Sequence, residues 1–289
     1  MLVLFADTDM DLTKKEAKEL GYKLISMPYS IGNDLIYPYE SWDEFKAHEF
    51  YEQLRGGTLP KTSSISEEKY VEYFEPEFKK GNDIFYVHFS RNMSGTFDAM
   101  DKAVEKLKEK YPERKFYEVD TLGISILGYV IAKEIADLFK NGKTVEEVLE
   151  WAKKEVKHYA CYFFADDLKF FKQSGRVSNL AGTMGTLLGI RPIIYMNDEG
   201  KMLNIGKEKG RFRAVEKLVG YFEELSVDPK EHRIILASAD NDELVQEMKD
   251  KLEEKYGKGL KIETTTVNPT IGAHCGPDTV GLAFYAKHR

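Results

Sequence analysis

Cysteine is nearly missing from this chain: two residues in 289, Cys161 and Cys275. Two cysteines so far apart make no disulfide framework, and neither has zinc-ligand spacing to a histidine. Cys275 follows His274 directly, but neighbours in an extended segment point to opposite faces, which argues against a thiolate–imidazole pair. Long apolar runs are also missing. No window approaches the roughly 20 residues needed to span a bilayer, and residues 1–7 lack the basic start and apolar length of a signal peptide, so a cytoplasmic location is expected. Positive charge is in deficit, with 42 Lys and Arg against 49 Asp and Glu and a formal net charge of −7. That balance argues against a broad nucleic-acid surface. No Gly-x-x-x-x-Gly-Lys-Ser/Thr loop occurs, which speaks against a P-loop kinase. The Gly-x-Ser-x-Gly elbow of lipases is absent as well.

What is present is an ordinary globular composition, 42% apolar and 31% charged, in a chain long enough for two domains. The most informative stretch is His88-Phe89-Ser90-Arg91-Asn92-Met93-Ser94-Gly95-Thr96-Phe97. It follows the apolar strand Ile84–Val87 and opens a helix that runs to about Lys110. A polar turn entering a helix presents unpaired N–H groups and a dipole that favours an anion. Ser94 is either a cap or a ligand donor, and Gly95 would let a ligand approach the backbone. A second hydroxyl-rich turn, Pro60-Lys61-Thr62-Ser63-Ser64, precedes a helix capped by Ser66. A third polar turn, Asp7-Thr8-Asp9-Met10-Asp11-Leu12, follows the strand Leu2–Ala6, and Thr13 with Glu16 forms a capping box for the next helix. Its three aspartates invite a metal reading, but the glycine and terminal glutamate of an EF-hand are missing.

Strands are also expected at Lys23–Met27 and Lys115–Val119, with helices through Ile131 and Ile135 and from Val145 to about Lys157. Four β-then-α units predict a parallel sheet covered by helices in a first domain, residues 1–157. From residue 158 the pattern changes to a second α/β domain with a mixed sheet, residues 158–289. Its expected parts are the strand Tyr159–Phe164, a small-residue helix Ala181–Leu188, and a hairpin through Asn197–Gly200. A helix over Ala214–Leu225, strands at Arg233–Ala237 and Leu260–Thr266, and a last strand Val280–Tyr285 complete it. Lys207, Lys209, Arg211 and Arg213 are read as a basic cluster ahead of the 214–225 helix. Ile271–Asp278 is read as a closing turn.

Taken together, these turns resemble the DegV family of bacterial fatty-acid-binding proteins. The resemblance rests on Asp7–Leu12, Pro60–Ser64, Ser90–Thr96, Asp120-Thr121, Asp166-Asp167-Leu168, Ser174-Gly175-Arg176-Val177-Ser178, Arg191-Pro192-Ile193 and Gly272–Pro277, and covers nearly the whole chain. Ser64 stands where the family usually has glutamine, and Lys209 where it commonly has arginine. The resemblance implies two α/β domains with one fatty acid buried between and within them and no cofactor. The carboxylate would lie at Thr62, Ser63, Ser94 and Gly95, with His274 nearby. It also implies presentation of the fatty acid to a separate fatty acid kinase that makes the acyl-phosphate. Basic residues at a helix start in an acidic chain ask for an anionic partner, so Arg176, Lys209 and Arg211 are expected to contact that kinase or the phosphate. Two other readings of the same residues stand beside it: a serine esterase or acyl-transfer enzyme using Ser94, and a binder of another small anion.

Overall fold

The computed structural model describes residues 1–178 and 189–289. Strand β1 (Leu2–Asp7) runs into a 3-10 turn (Thr8–Met10) and then α1 (Lys14–Leu20). The Thr13 hydroxyl accepts from Glu16 N while the Glu16 carboxylate accepts from Thr13 N, the reciprocal box expected from Thr-x-x-Glu. There follow β2 (Tyr22–Ile25), β3 (Tyr29–Ile31), β4 (Asp34–Ile36), α2 (Ala47–Arg55), β5 (Lys61–Thr62) and α3 (Glu67–Lys79). The chain continues through β6 (Asp83–His88), α4 (Thr96–Lys110), β7 (Phe116–Asp120), α5 (Ile126–Lys140) and α6 (Val145–Glu155).

Four of these strands form a parallel sheet in the order β2-β1-β6-β7. From β1 the chain steps to β2 on one side, then crosses to β6 on the other. Such a reversal leaves a crevice at the carboxyl ends of the two central strands, where open α/β sheets take ligands. A separate antiparallel sheet, β4-β3-β5, holds Thr62 in its edge strand.

The second half comprises β8 (Tyr159–Phe164), α7 (Lys169–Ser174), β9 (Val177–Ser178), β10 (Ile190–Met196), β11 (Met202–Lys209) and α8 (Arg211–Leu225). It ends with β12 (Arg233–Ser238), α9 (Asp242–Tyr256), β13 (Lys261–Thr266), α10 (Pro269–Cys275) and β14 (Val280–Tyr285). Among the described residues these make a mixed seven-stranded sheet, β13-β12-β14-β8-β10-β11-β9. Its β12–β13 and β9–β11 pairs are parallel and the rest antiparallel. The α/β class, with one parallel and one mixed sheet, is as expected.

Several local expectations change. The helix expected over 181–188 lies outside the described residues. Helix α2, α7 and α10 occupy stretches read as irregular; α2 is held by burial of Phe50, Tyr51 and Leu54 on one face. Lys207 and Lys209 belong to β11, which pairs with β10 along its length from Met202 to Lys209, and α8 starts at Arg211 instead of Ala214.

Helix α5 is the central pillar. Nine of its 15 residues are buried, on all sides of the helix. Tyr22 of β2 donates to Ala132 O at 2.8 Å, and Gly128 admits Met10, whose Cγ would lie 2.5 Å from any Cβ there. On its other side α5 packs on β8, β12 and β14, so one apolar core runs from the parallel sheet to the near face of the mixed sheet. A second core fills the far face beneath α8 and α9.

The turn after β1 buries three acids. Asp7 Oδ2 accepts from Tyr86 Oη and Phe89 N, both at 3.1 Å, yet burial raises the acid to about 7. Burial likewise raises Asp11 to about 6 and Asp9 well above the carboxylate range. With a folded pKa above the unfolded one, the folded state holds more protons, so the contribution of Asp7 to stability is lost as pH rises from about 4 to about 7. Asp7→Asn should therefore gain on the parent across that window, by at most about 1.4 kcal/mol per pH unit. Urea unfolding of both proteins at several pH values measures this; a difference independent of pH would show Asp7 ionised throughout.

Candidate functional site

The carboxyl ends of β1 and β6 open on a cavity of about 150 Å³. The parallel sheet contributes Asp9 after β1 and Phe89, Met93 and Ser94 after β6. Ile124, Ser125 and Ile126 enter from the start of α5. Phe163 of β8 and Ala237 of β12 line it from the mixed sheet, and Thr270, Ile271 and His274 from α10. Most of the surface is apolar.

Helix α10 is placed by its own ends. Asn268 accepts from Thr270 N at 2.8 Å and Ile271 N at 3.1 Å, and Pro269 follows it at the first helical position. Gly276 closes the helix at φ 74°, where any Cβ would lie 2.2 Å from the Phe170 ring. The close approach seats α7 against α10 and brings Phe171 into the cavity wall. The turn into α5 is backbone-strained, with Leu122 at φ 47° and Ser125 at φ 55°. It is held by Arg289, which donates to Thr121 O at 2.8 Å and also to Leu122 O, and by Ser125 N donating to Asp9 O at 2.7 Å.

Polar groups concentrate at one end. Thr62, Ser63, Ser64, Ser94, Arg176 and His274 all line the cavity, and Thr62, Arg176 and His274 also line a depression on the outside. These three therefore stand between cavity and exterior. Thr62 Oγ1 and His274 Nε2 are 3.1 Å apart, while His274 Nδ1 has no hydrogen-bond partner among the described residues. If Nε2–H donates to Thr62, the Thr62 hydroxyl hydrogen is free for a ligand; in the other tautomer Nδ1–H is free instead. Burial, then the charge of Arg176, lowers His274 to about 4, so the ring is neutral at pH 7.

The structure thus brings Thr62, Ser63, Ser94, His274 and Arg176 to one cavity. Gly95 is not among its lining residues: it is the exposed N-cap of α4, with an ordinary φ of −75° and open space where a Cβ would go. Of the other hydroxyls in its turn, Ser90 donates to Gly200 O at 2.8 Å and Thr96 accepts from Ile65 N at 3.1 Å, both structural bonds. Lys209 is exposed at the end of β11, away from the cavity lining. Arg211 is committed to Asp166, through Nε at 2.7 Å and Nη2 at 2.9 Å, and to Asp278 at 2.9 Å. His274 and Cys275 lie on a helix and both line the cavity, so the extended geometry expected there does not apply; burial nevertheless pushes the Cys275 thiol up to about 12, far from a thiolate. Ser125 and Thr270 are lining residues that the sequence reading did not single out, and Asp9 is one it weighed only as part of a metal site.

No group of the EF-hand kind forms at the first turn: Asp11 Oδ1 is taken by Asn268 and Asp7 Oδ2 by Tyr86 and Phe89. The one cluster with ligand atoms close enough for a metal, among the described residues, is His48, Glu52 and Asp240 on the surface, where Arg55 already pairs with both acids. No helix among the described residues is long and apolar enough to cross a membrane.

A parallel and a mixed sheet that together line a largely apolar cavity define an α/β protein with an internal cavity. The chain belongs to the DegV family: the family model described as "Uncharacterised protein, DegV family" matches residues 1–287. It is 33% identical over 284 residues to a DegV domain-containing protein of Clostridium perfringens, covering 98% of this chain and 96% of that one. It is 29% identical over 247 residues to a fatty acid-binding protein of Thermotoga maritima, covering 83% and 82%. The solved structure of a fatty-acid-binding DegV family protein from Thermus thermophilus superposes with a TM-score of 0.86 at 21% identity, covering 99% of both chains.

The state of His274 can be checked directly. Its ring signals in NMR should stay constant from pH 8 down to pH 5 and titrate near pH 4. Arg176→Ala should raise that midpoint, because a neighbouring cation is removed. A midpoint near 6.5 in the parent would mean a solvated ring.

Proposed function

We propose that this protein binds one long-chain fatty acid, with its tail in the cavity and its carboxylate among Thr62, Ser63, Ser94 and His274, and presents it to a separate fatty acid kinase. The observation that carries this reading is the separation of the cavity into an apolar interior and a hydroxyl-rich end that adjoins the outside. Each buried CH₂ contributes about 0.8 kcal/mol, so a long chain supplies ample gross affinity. The carboxylate is the costly part, since it must leave water and be hydrogen-bonded where it ends. Hydroxyls and a neutral imidazole meet that need, and Arg176 offers charge at the rim. The fatty-acid binding of related DegV proteins supports the same ligand class.

The protein acts in this reading as a binder, and Ser94 as a donor. Ser94 Oγ accepts from Thr96 N at 3.2 Å, and no histidine hydrogen-bonds it among the described residues. His88, the nearest in sequence, is buried with Nδ1 2.7 Å from Phe89 O, and burial lowers it to about 3. A nucleophile needs an adjacent base, and none is placed here.

Delipidated protein should gain thermal stability when octadecanoic acid is added, about 2.7 kcal/mol at a hundredfold excess over Kd. Thr62→Val or Ser94→Ala should weaken binding by about 0.5–1.5 kcal/mol for a neutral bond and up to about 3 for a charge-assisted one. An unchanged melting temperature with any saturated or unsaturated chain would overturn the reading, and a burst of product from an activated acyl ester would restore Ser94 as a nucleophile.

Presentation to the kinase separates two cations. Lys209→Ala should leave fatty-acid affinity intact and slow phosphorylation by the kinase, an effect that added salt reproduces in the parent. Arg176→Ala should impair both, because Arg176 stands at the cavity rim. Affinity lost in both variants would place Lys209 in the ligand site instead.

A further inference from the structure

Asp9 is the one carboxyl group among the cavity-lining residues, and it enters from the turn after β1. It is 6% exposed, and its Oδ1 has no hydrogen-bond partner among the described residues. The Thr270 hydroxyl, which lies against the carboxyl, gives its hydrogen to Met27 O at 3.1 Å, and Ser125, whose N–H bonds Asp9 O, gives its hydroxyl hydrogen to Asp11. Buried polar atoms are seldom left unpaired, and this carboxyl belongs to the cavity wall, where a bound molecule can supply a partner. Burial, with Asp7 and Asp11 close by, favours the neutral acid, while Thr270 beside it favours ionisation. A neutral carboxyl both donates and accepts, which matches an alcohol and rejects a second carboxylate.

Its position along the ligand follows from α10. Thr270 stands beside Asp9 and His274 lies four residues further on, one helical turn or about 6 Å away. With the carboxylate at His274, Asp9 meets the acyl chain a few methylenes further in.

We infer that Asp9 is a specificity-determining residue that hydrogen-bonds a hydroxyl carried on the acyl chain, so that the preferred ligands are hydroxylated long-chain fatty acids. The inference rests on the fatty-acid reading above and narrows it to one substrate class. An unsubstituted chain offers this carboxyl no hydrogen-bond partner.

The test compares octadecanoic acid with a positional series of monohydroxylated octadecanoic acids, measured by calorimetry on delipidated parent, Asp9→Asn and Asp9→Leu. At least one isomer with its hydroxyl in the carboxylate half should bind the parent about 2- to 10-fold more tightly than octadecanoic acid. Asp9→Asn, which keeps a donor and an acceptor, should retain a preference, whereas Asp9→Leu should lose it and bind the unsubstituted chain more tightly. If octadecanoic acid binds the parent at least as well as every isomer, the inference is wrong and fatty-acid binding stands; this comparison needs no variant to fold. A preference that survives in Asp9→Leu would assign it to another residue. If no chain binds, the fatty-acid reading itself fails.

Discussion

One buried side chain, Asn268, ties the first turn of the chain to the helix α10 that lines the cavity. Its Nδ2 donates to Thr8 O at 2.8 Å and to Asp11 Oδ1 at 2.7 Å, and its Oδ1 accepts from the first N–H groups of α10. Its backbone N–H also donates to Asp11 Oδ1, at 2.8 Å. Every polar atom of the amide is thus used in a water-poor setting, where leaving one unpaired costs about 1–3 kcal/mol. Since the turn carries Asp9 and the helix carries Thr270 and His274, this knot sets the spacing between the interior and rim groups. Thr270 adds a bond to Met27 O, and Tyr51 donates to Val267 O at 2.8 Å, so the segment after β2, helix α2 and the lead into α10 are gathered at the same point.

Much of the framework was legible because its signals are local. The apolar runs over β8 and β14 match their strands residue for residue, and the Thr13 box starts α1 as capping chemistry requires. Helix α10 was hidden by its own composition. Gly272, His274 and Gly276-Pro277 read as a turn, and six of its seven residues are buried, leaving no amphipathic period to detect. The Asn-Pro pair at its start was the available sign.

The functional residues divide in the same way. Thr62, Ser63, Ser94 and His274 were expected at one site and do line one cavity, because each sits where a strand or helix end meets the crevice. The basic run 207–213, compact in sequence, is not one patch: Lys207 and Lys209 are exposed on β11, while Arg211 is held by Asp166 and Asp278. The place of Asp9 in the cavity wall could not be read at all. Three aspartates at alternate positions suggest one shared face, but the 3-10 turn and the left-handed Asp11, φ 54°, aim the carboxyls at different neighbours. Such orientation arises from tertiary bonds to Asn268, Ser125 and Phe89, which no local pattern encodes.

The electrostatics of the cavity also orient what enters it. His274 is held neutral by burial and by Arg176, burial holds both cavity thiols, Cys161 and Cys275, up to about 12, and Asp9 is driven toward its neutral form. Arg176 is thus the cation at the lining, and it lies at the end that adjoins the outside. A ligand with one anionic head and a long apolar tail has an unequal choice between its two orientations. Head outward, the carboxylate meets hydroxyls and a cation in a partly solvated setting. Head inward, it would be desolvated beside Asp7, Asp9 and Asp11, where the protein already disfavours negative charge. The same burial that raises the three acids of the first turn would therefore direct such a tail to the interior and leave the anionic head at the rim.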